Sequence, residues 1–230
     1  MIFSEKEAEG YDQWYNSKLG KFVDEVETEL AFSLFSPHPG EKVLDAGCGT
    51  GNFSLKLAQM GLEVVGVDIS EPMLDKARKK VAKTDDNLQI SFNKMDVLEL
   101  QFPEESFSGV FSMATIEFIP DSKKENFIRE MLRVVKPGGK VLIGTITSDS
   151  EWGKMYKKQA QEQDSVFSQA QFTTPEKLNQ IEKDKLQASK ECLFISPDID
   201  EKNISRKREK KLAGQKRGGF FCSLWKKPEK

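Results

Sequence analysis

The sequence predicts an α/β domain built on a mainly parallel sheet that carries helices on both faces. Two observations predict it. From residue 41 onward, strand-like and helix-like segments alternate at the spacing of strand–helix–strand units. The first strand-like segment, 42–47, runs directly into a turn that holds three glycines within residues 47–51. The length of 230 residues favours one domain of this kind over two small ones.

The core elements follow one another through residues 41–146. Strands are expected at 42–47, 62–68, 88–96, 109–114 and 140–146. The glycines are followed by a predicted helix at 52–60, and Ser70 is expected to cap the next helix. Ser122 and Glu125 have the spacing of a capping box for a third helix, which residues 136–139 are expected to end.

The flanking segments carry a different pattern. Upstream, Val23, Val26, Leu30 and Leu34 recur at helical spacing, which predicts an amphipathic helix packed on the domain. Downstream, residues 151–171 predict one or two helices laid over the edge of the sheet. Two strands are expected near 187–195 and 219–225, and residues 206–217 between them predict a solvated basic loop.

Charge and composition exclude several classes of protein. The 35 basic and 37 acidic residues nearly cancel, so no overall field attracts nucleic acid or an acidic membrane. The apolar runs fall far short of the ~20 residues that span a bilayer, and the acidic start does not resemble a signal peptide. Three widely spaced cysteines and one histidine support neither a disulfide framework nor a zinc site. A soluble, cytoplasmic protein without a metal is expected.

Polar residues and glycines at the strand ends predict a ligand site at the carboxyl edge of the sheet. Ligands of open parallel sheets bind beyond this edge, and Gly47, Gly49 and Gly51 lie where the first strand turns into its helix. Glycine allows positive φ and lets a ligand approach the backbone closely. Asp68 ends the second strand, where a carboxylate can accept both hydroxyls of a ribose. Asp96 ends the third strand, where it can accept from an exocyclic amine.

Four motifs in order carry a family resemblance. They are VLDAGCGTGNFS (43–54), VVGVDIS (64–70), NKMDVLELQFPEESFSGVFS (93–112) and RVVKPGGKVLIG (133–144). Together they resemble the class I S-adenosylmethionine-dependent methyltransferases, specifically the type 11 group of small-molecule enzymes. The resemblance implies a Rossmann-like sheet of seven strands in the order 3-2-1-4-5-7-6, with the seventh antiparallel. It also implies S-adenosylmethionine as cofactor and methyl transfer to O, N or C of a small molecule by in-line displacement.

The resemblance also assigns residues to the cofactor. The glycines would bring backbone against its methionine part, Asp45 would hold its ammonium through water, and Asp68 would bind the ribose. Ile69 and Met73 would sandwich the adenine. The complete expected set is Asp45, Gly47, Gly49, Gly51, Asp68, Ile69, Met73, Asp96, Val97, Ser112 and Met113.

Residues for the methyl acceptor are expected outside these motifs. Tyr11, Trp14 and Tyr15 precede the amphipathic helix and are predicted to cover the acceptor, with the Tyr15 hydroxyl bonded to it. A helix face packed on the domain is the alternative. Trp152 and Tyr156 are candidates for the opposite wall, with core packing as their alternative.

Glu117 is the candidate for chemistry. It follows the fourth strand, where a carboxylate can orient a cationic acceptor or take a proton. A loop carboxylate in solvent and a hydrogen bond to the N-terminal segment are the alternatives.

Two other functions stay open. One is a regulatory module that binds S-adenosylmethionine without activity. The other is a dinucleotide-dependent oxidoreductase, although its GxGxxG spacing differs from the GxGxG found here. The expected partner is a small-molecule acceptor, with neither nucleic acid nor membrane insertion, and a homodimer remains open. The predicted organisation is a helical lid (1–40), a cofactor core (41–146), a helical lid insertion (147–180) and C-terminal strands (181–230).

Overall fold

A computed structural model describes residues 12–84, 87–162 and 165–229. Its strands are β1 Lys42–Ala46, β2 Glu63–Asp68, β3 Ile90–Lys94, β4 Phe107–Met113, β5 Val135–Ile146, β6 Leu186–Cys192 and β7 Phe220–Lys226. They form one sheet in the order β3-β2-β1-β4-β5-β7-β6. The first five strands pair in parallel, and β7 runs antiparallel to both of its neighbours. The predicted order and orientation are confirmed.

Helices cover both faces of the sheet. They are α1 Lys18–Phe35, α2 Asn52–Gln59, α3 Glu71–Val81, α4 Lys124–Val134, α5 Glu151–Gln159, α6 Pro175–Leu178 and α7 Arg206–Leu212. Successive strand residues face opposite sides, so Val43 belongs to the core beneath α1 and α2, and Leu44 belongs to the core beneath α4. Helix α1 packs on β5, β6 and β7.

The start of α4 differs from the prediction. The Ser122–Glu125 capping box is wrong, because the helix begins at Lys124 after a 3-10 turn, Asp121–Lys123, and has no side-chain cap. The buried Lys124 ammonium instead binds the Asp121 carboxylate at 2.7 Å. Residues 136–139 do not merely end the helix either. They lie within β5, where the register with β4 shifts.

The basic segment 206–217 is not wholly a loop, since its first part forms α7. Ser205 accepts a hydrogen bond from the amide of Arg208 and caps the helix. The buried Glu209 carboxylate accepts from the amides of Phe194 and Ile195 at 2.8 and 3.0 Å. The buried Glu209 therefore fixes α7 to the domain, whereas the basic residues of this helix are mostly exposed.

Within the described ranges, no helix is long and apolar enough to cross a membrane. This part of the chain also contains no group of three or more His, Cys, Asp or Glu side chains arranged so that they could hold a metal ion. All three cysteines are buried and free. Burial raises the pKa of each thiol well above its ordinary value.

Candidate active site

A cavity of about 300 Å³ opens at the carboxyl ends of the parallel strands. It lies where the strand order reverses, since β1 leads to β2 and β3 on one side and β4 leads to β5 on the other. Its wall includes the predicted residues Asp45, Gly47, Gly49, Asp68, Ile69, Met73, Asp96, Val97, Met113 and Tyr15. The structure therefore brings most of the predicted site to one place.

The glycine turn presents bare backbone to this cavity. Gly47 has φ of +75°, and a Cβ there would stand 2.3 Å from the Thr115 side chain. Gly49 has φ of +53°, and no atom lies within 4 Å of the position of its absent Cβ. A side chain at Gly49 would therefore project into space that a ligand can use.

Two strand-end carboxylates are fixed by backbone amides. Asp68 accepts from the amide of Gly49 at 2.9 Å and from the amide of Ser70 at 2.8 Å. Asp96 accepts from the amide of Leu98 at 2.9 Å. Because Asp68 accepts from both the glycine turn and the residue before α3, it holds these two segments in a fixed arrangement beside the cavity.

Acidic side chains dominate the cavity. Its described lining carries four carboxyl groups, from Glu27, Asp45, Asp68 and Asp96, and no lysine, arginine or histidine. Burial raises the pKa of Asp45 to about 7, although Ser54 donates a hydrogen bond to it and opposes the shift. Burial also raises the pKa of Asp68. A cation in the cavity is therefore favoured and a phosphate is disfavoured.

Two predicted cofactor residues lie behind the wall instead of on it. A Cβ at Gly51 would lie 2.9 Å from Ala77 of α3 and 3.1 Å from Phe92 of β3. The glycine therefore allows the turn to pack closely against both elements. The buried Ser112 hydroxyl donates to the carbonyl of Ala46 at 2.7 Å and ties β4 to β1. These contacts give both residues a packing role.

The predicted acceptor residues divide in the same way. Tyr15 lies on the wall, whereas Trp14 is 39% exposed and lies outside the lining. Trp152 is buried and donates from Nε1 to the carbonyl of Ile195 at 2.7 Å. Tyr156 packs on Phe167, with ring centroids 4.7 Å apart. Core packing thus accounts for both of these aromatic residues, and Tyr11 lies outside the described residues.

Glu117 follows β4, as predicted, but its side chain is buried. It is 1% exposed, lies outside the cavity lining, and accepts from the Thr145 hydroxyl at 2.9 Å. The alternative of a loop carboxylate in solvent is therefore wrong. Burial raises the pKa of Glu117 to about 7, and its hydrogen bonds only partly oppose this.

Burial of Glu117 predicts a pH-dependent stability. Because its pKa is higher in the folded chain, the folded state binds more protons between about pH 4.5 and 7, and stability falls as pH rises through this window. We expect Glu117→Gln to reduce the decrease in unfolding free energy between these pH values by roughly 2–3 kcal/mol. Urea denaturation at pH 5 and pH 8 measures it. Glu99→Gln, at an exposed residue, is the control, and equal slopes in both variants would contradict the prediction.

Several lining residues were not predicted, above all Glu27, Phe53 and Phe118. Glu27 could have been found from the sequence. It stands four residues after the buried Val23 and three before Leu30, which places a carboxyl group on the apolar face of α1. Phe118 carries no comparable signal, because it belongs to a 3-10 helix of only three residues, Ile116–Phe118, after β4.

The strand order, the antiparallel β7 and an acidic cavity at the strand ends define a Rossmann-like methyltransferase domain. Residues 43–139 match a family model described as a methyltransferase domain. This match, over part of the chain, agrees with the resemblance of the four motifs to the class I S-adenosylmethionine-dependent methyltransferases.

Among curated proteins, the chain is 31% identical over 126 residues to 27-O-demethylrifamycin SV methyltransferase of Amycolatopsis mediterranei (strain S699), covering 53% of this chain and 46% of the relative. It is 33% identical over 156 residues to demethylmenaquinone methyltransferase of Desulfitobacterium hafniense (strain Y51), covering 62% and 61%. The chain thus spans about half the length of the curated relatives it matches.

Among solved structures, an S-adenosylmethionine-dependent methyltransferase of Thermotoga maritima, described as a possible histamine N-methyltransferase, aligns with a TM-score of 0.74. The sequences are 23% identical, and 98% of each chain is covered. At this identity, the likeness shows the fold.

Proposed function

We propose that the protein transfers a methyl group from S-adenosylmethionine to O, N or C of a small organic molecule. The observation that carries the proposal is the cavity with four carboxyl groups and, in its described lining, no cationic side chain. S-adenosylmethionine brings a sulfonium and an ammonium to this negative potential, whereas a dinucleotide brings a pyrophosphate that it repels. The charge therefore favours the methyltransferase over the oxidoreductase.

The proposed cofactor pose follows the wall of the cavity. Asp68, whose carboxylate accepts from two backbone amides, is proposed to accept from the ribose hydroxyls as well. Met73 is 2% exposed and Ile69 is 56% exposed. We therefore propose that Met73 packs against the buried face of the adenine and that Ile69 packs against its other face at the cavity entrance. Asp96 and the amide of Val97 lie at the end of β3, where the adenine edge is expected. Gly47 and Gly49 lie beside the methionine part, with Asp45 behind them.

The chemistry requires little beyond positioning. A bound sulfonium supplies an excellent leaving group, so the chain accelerates transfer mainly by holding the acceptor in line behind the methyl carbon, at ~3–3.5 Å. Exclusion of water supplies the rest. Tyr15, on the wall and half-buried, is proposed to contact the acceptor. Glu117 is not assigned this role, because it lies behind the wall.

We propose further that the N-terminal segment is a lid over this site. Asp12 accepts from the Thr50 hydroxyl at 2.8 Å and pairs with the Lys80 ammonium at 3.0 Å. Thr50 itself lines the cavity. The insertion 147–180 approaches the wall through Phe167, which stacks on the lining residue Phe118 with ring centroids 6.3 Å apart.

Asp12→Ala is expected to loosen this lid without unfolding the domain. The pair is partly exposed, so its loss should lower the free energy of unfolding by at most ~1 kcal/mol. Hydrogen exchange should become faster in residues 12–17, and S-adenosylhomocysteine should protect them less than in the unmodified protein. Asp75→Ala removes an exposed ion pair on α3 and serves as control. Unchanged exchange in residues 12–17 would refute the lid contact.

The place of action is proposed to be the cytoplasm, and the partner a small molecule, without nucleic acid. The experiment that tests the function is turnover. The protein is incubated with S-adenosylmethionine and a broad panel of small amines, alcohols, phenols and carbon acids, and S-adenosylhomocysteine is measured by mass spectrometry. Acceptor-dependent product supports the proposal. Tight binding of the cofactor with no turnover across the panel would favour the inactive regulatory module.

A further inference from the structure

Glu27 occupies a part of the cavity that the cofactor residues do not. It belongs to α1, which packs on β5, β6 and β7, whereas Asp68 ends β2 and Asp96 lies two residues after the end of β3. These groups of strands lie on opposite sides of β1 in the sheet. Glu27 therefore lines the half of the cavity that the proposed nucleoside pose leaves for the acceptor.

The Glu27 carboxyl group has no hydrogen bond or ion pair within residues 12–84, 87–162 and 165–229. The neighbouring Lys56 ammonium is engaged elsewhere, by the carboxylate of Asp24 at 2.5 Å and the hydroxyl of Thr28 at 2.8 Å. Burial raises the pKa of Glu27 well above its ordinary value, and the carboxyl groups of Asp24 and Glu117 raise it further. An ion pair with Lys56 therefore does not satisfy this carboxyl group.

Much of the lining on this side of β1 is apolar, including Phe53, Met113 and Ile119. A bound acceptor therefore meets hydrocarbon together with Tyr15 and the acidic group of Glu27. The described lining offers an anionic acceptor no lysine, arginine or histidine as a partner, and four carboxyl groups disfavour it. A molecule with one basic nitrogen and an apolar body matches both the charge and the surface.

Resting on the proposed function, we propose that the methyl acceptor is a small primary or secondary amine and that the Glu27 carboxyl group binds its nitrogen. The amine enters as an ammonium ion and passes one proton to the Glu27 carboxylate, which leaves a neutral amine beside a neutral carboxyl group. The nitrogen lone pair then forms the N–C bond as the C–S bond breaks, and the electrons of that bond leave on sulfur. The product is a methylated ammonium ion, and the proton on Glu27 returns to water.

Binding to the protein saturated with S-adenosylhomocysteine tests the inference without turnover. The probes are straight-chain and phenyl-substituted primary amines of two to nine carbons, each with the alcohol and the carboxylic acid of the same skeleton. We expect at least one amine to bind at least tenfold more tightly than its alcohol and acid partners. Glu27→Gln should weaken that amine at least tenfold and leave S-adenosylhomocysteine affinity within twofold. Glu25→Gln, at an exposed residue of the same helix, should change neither.

The outcomes separate the two proposals. If S-adenosylhomocysteine itself fails to bind, the proposed function fails and this inference with it. If it binds but no amine binds, or alcohols bind as well as amines, only the amine assignment is overturned. Equal amine affinity in the Glu27→Gln and Glu25→Gln variants would remove Glu27 from the site. The comparison of amines with alcohols in the unmodified protein remains decisive if Glu27→Gln does not fold.

Discussion

Replacing Asp68 with alanine is expected to weaken cofactor binding by roughly 2–3 kcal/mol, on the order of 100-fold in Kd. Two losses add. The ribose hydroxyls lose their acceptor, and the amides of Gly49 and Ser70 lose the carboxylate that holds the glycine turn in place. Isothermal titration with S-adenosylhomocysteine measures the change.

Two further variants serve as comparison and control for Asp68→Ala. Asp68→Asn keeps an oxygen acceptor and should retain part of the affinity. Asp75→Ala removes an exposed carboxylate from α3 and should leave Kd unchanged. If Asp68→Ala binds as tightly as the unmodified protein, Asp68 does not contact the cofactor.

Gly47→Ala is expected to destabilise the fold by roughly 2–5 kcal/mol. Gly47 has φ of +75°, which costs an L-residue ~1–2 kcal/mol. The added Cβ also stands 2.3 Å from the Thr115 side chain, and relief of that overlap costs ~1–3 kcal/mol more. Urea denaturation at constant pH measures the sum.

Gly40→Ala is the matched control, because Gly40 has φ of +82° and nothing within 4 Å of its Cβ position. It should cost only the conformational part, ~1–2 kcal/mol. Adding Thr115→Gly to Gly47→Ala should recover much of the stability that Gly47→Ala loses beyond the loss in Gly40→Ala. Equal losses in the Gly47→Ala and Gly40→Ala variants would show that the close contact with Thr115 has no energetic consequence.

The sequence predicts the sheet well because its central strands, such as β1, β2 and β4, are mostly buried apolar segments between turn residues. Strand order came from the resemblance of four motifs, and the structure confirms it. The errors arose where tertiary contacts override local pattern. Residues 206–212 are too polar to be predicted as packed structure, yet one buried acid, Glu209, anchors them as a helix.

The residues proposed to bind the cofactor could be named from the sequence because they are contiguous with the strand ends. Asp68, Asp96 and the glycine turn lie at or just after strand ends and line one cavity, as expected. Their contact with the cofactor stays a prediction. The acceptor half was not predictable in the same way. Glu117, Trp152 and Tyr156 are near in sequence to plausible walls, but burial directs their side chains into packing. Glu27 enters the cavity only because α1 packs across β5, β6 and β7.

The central claim is that an adenosyl sulfonium cofactor occupies the acidic cavity at the ends of the parallel strands. Titration of the unmodified protein with S-adenosylhomocysteine tests it most directly, because this product of the cofactor binds without reacting. We predict saturable binding at one site per chain, with Kd below about 1 mM, as KM values of enzymes usually are. Absence of saturable binding, with the protein shown to be folded, would contradict the account.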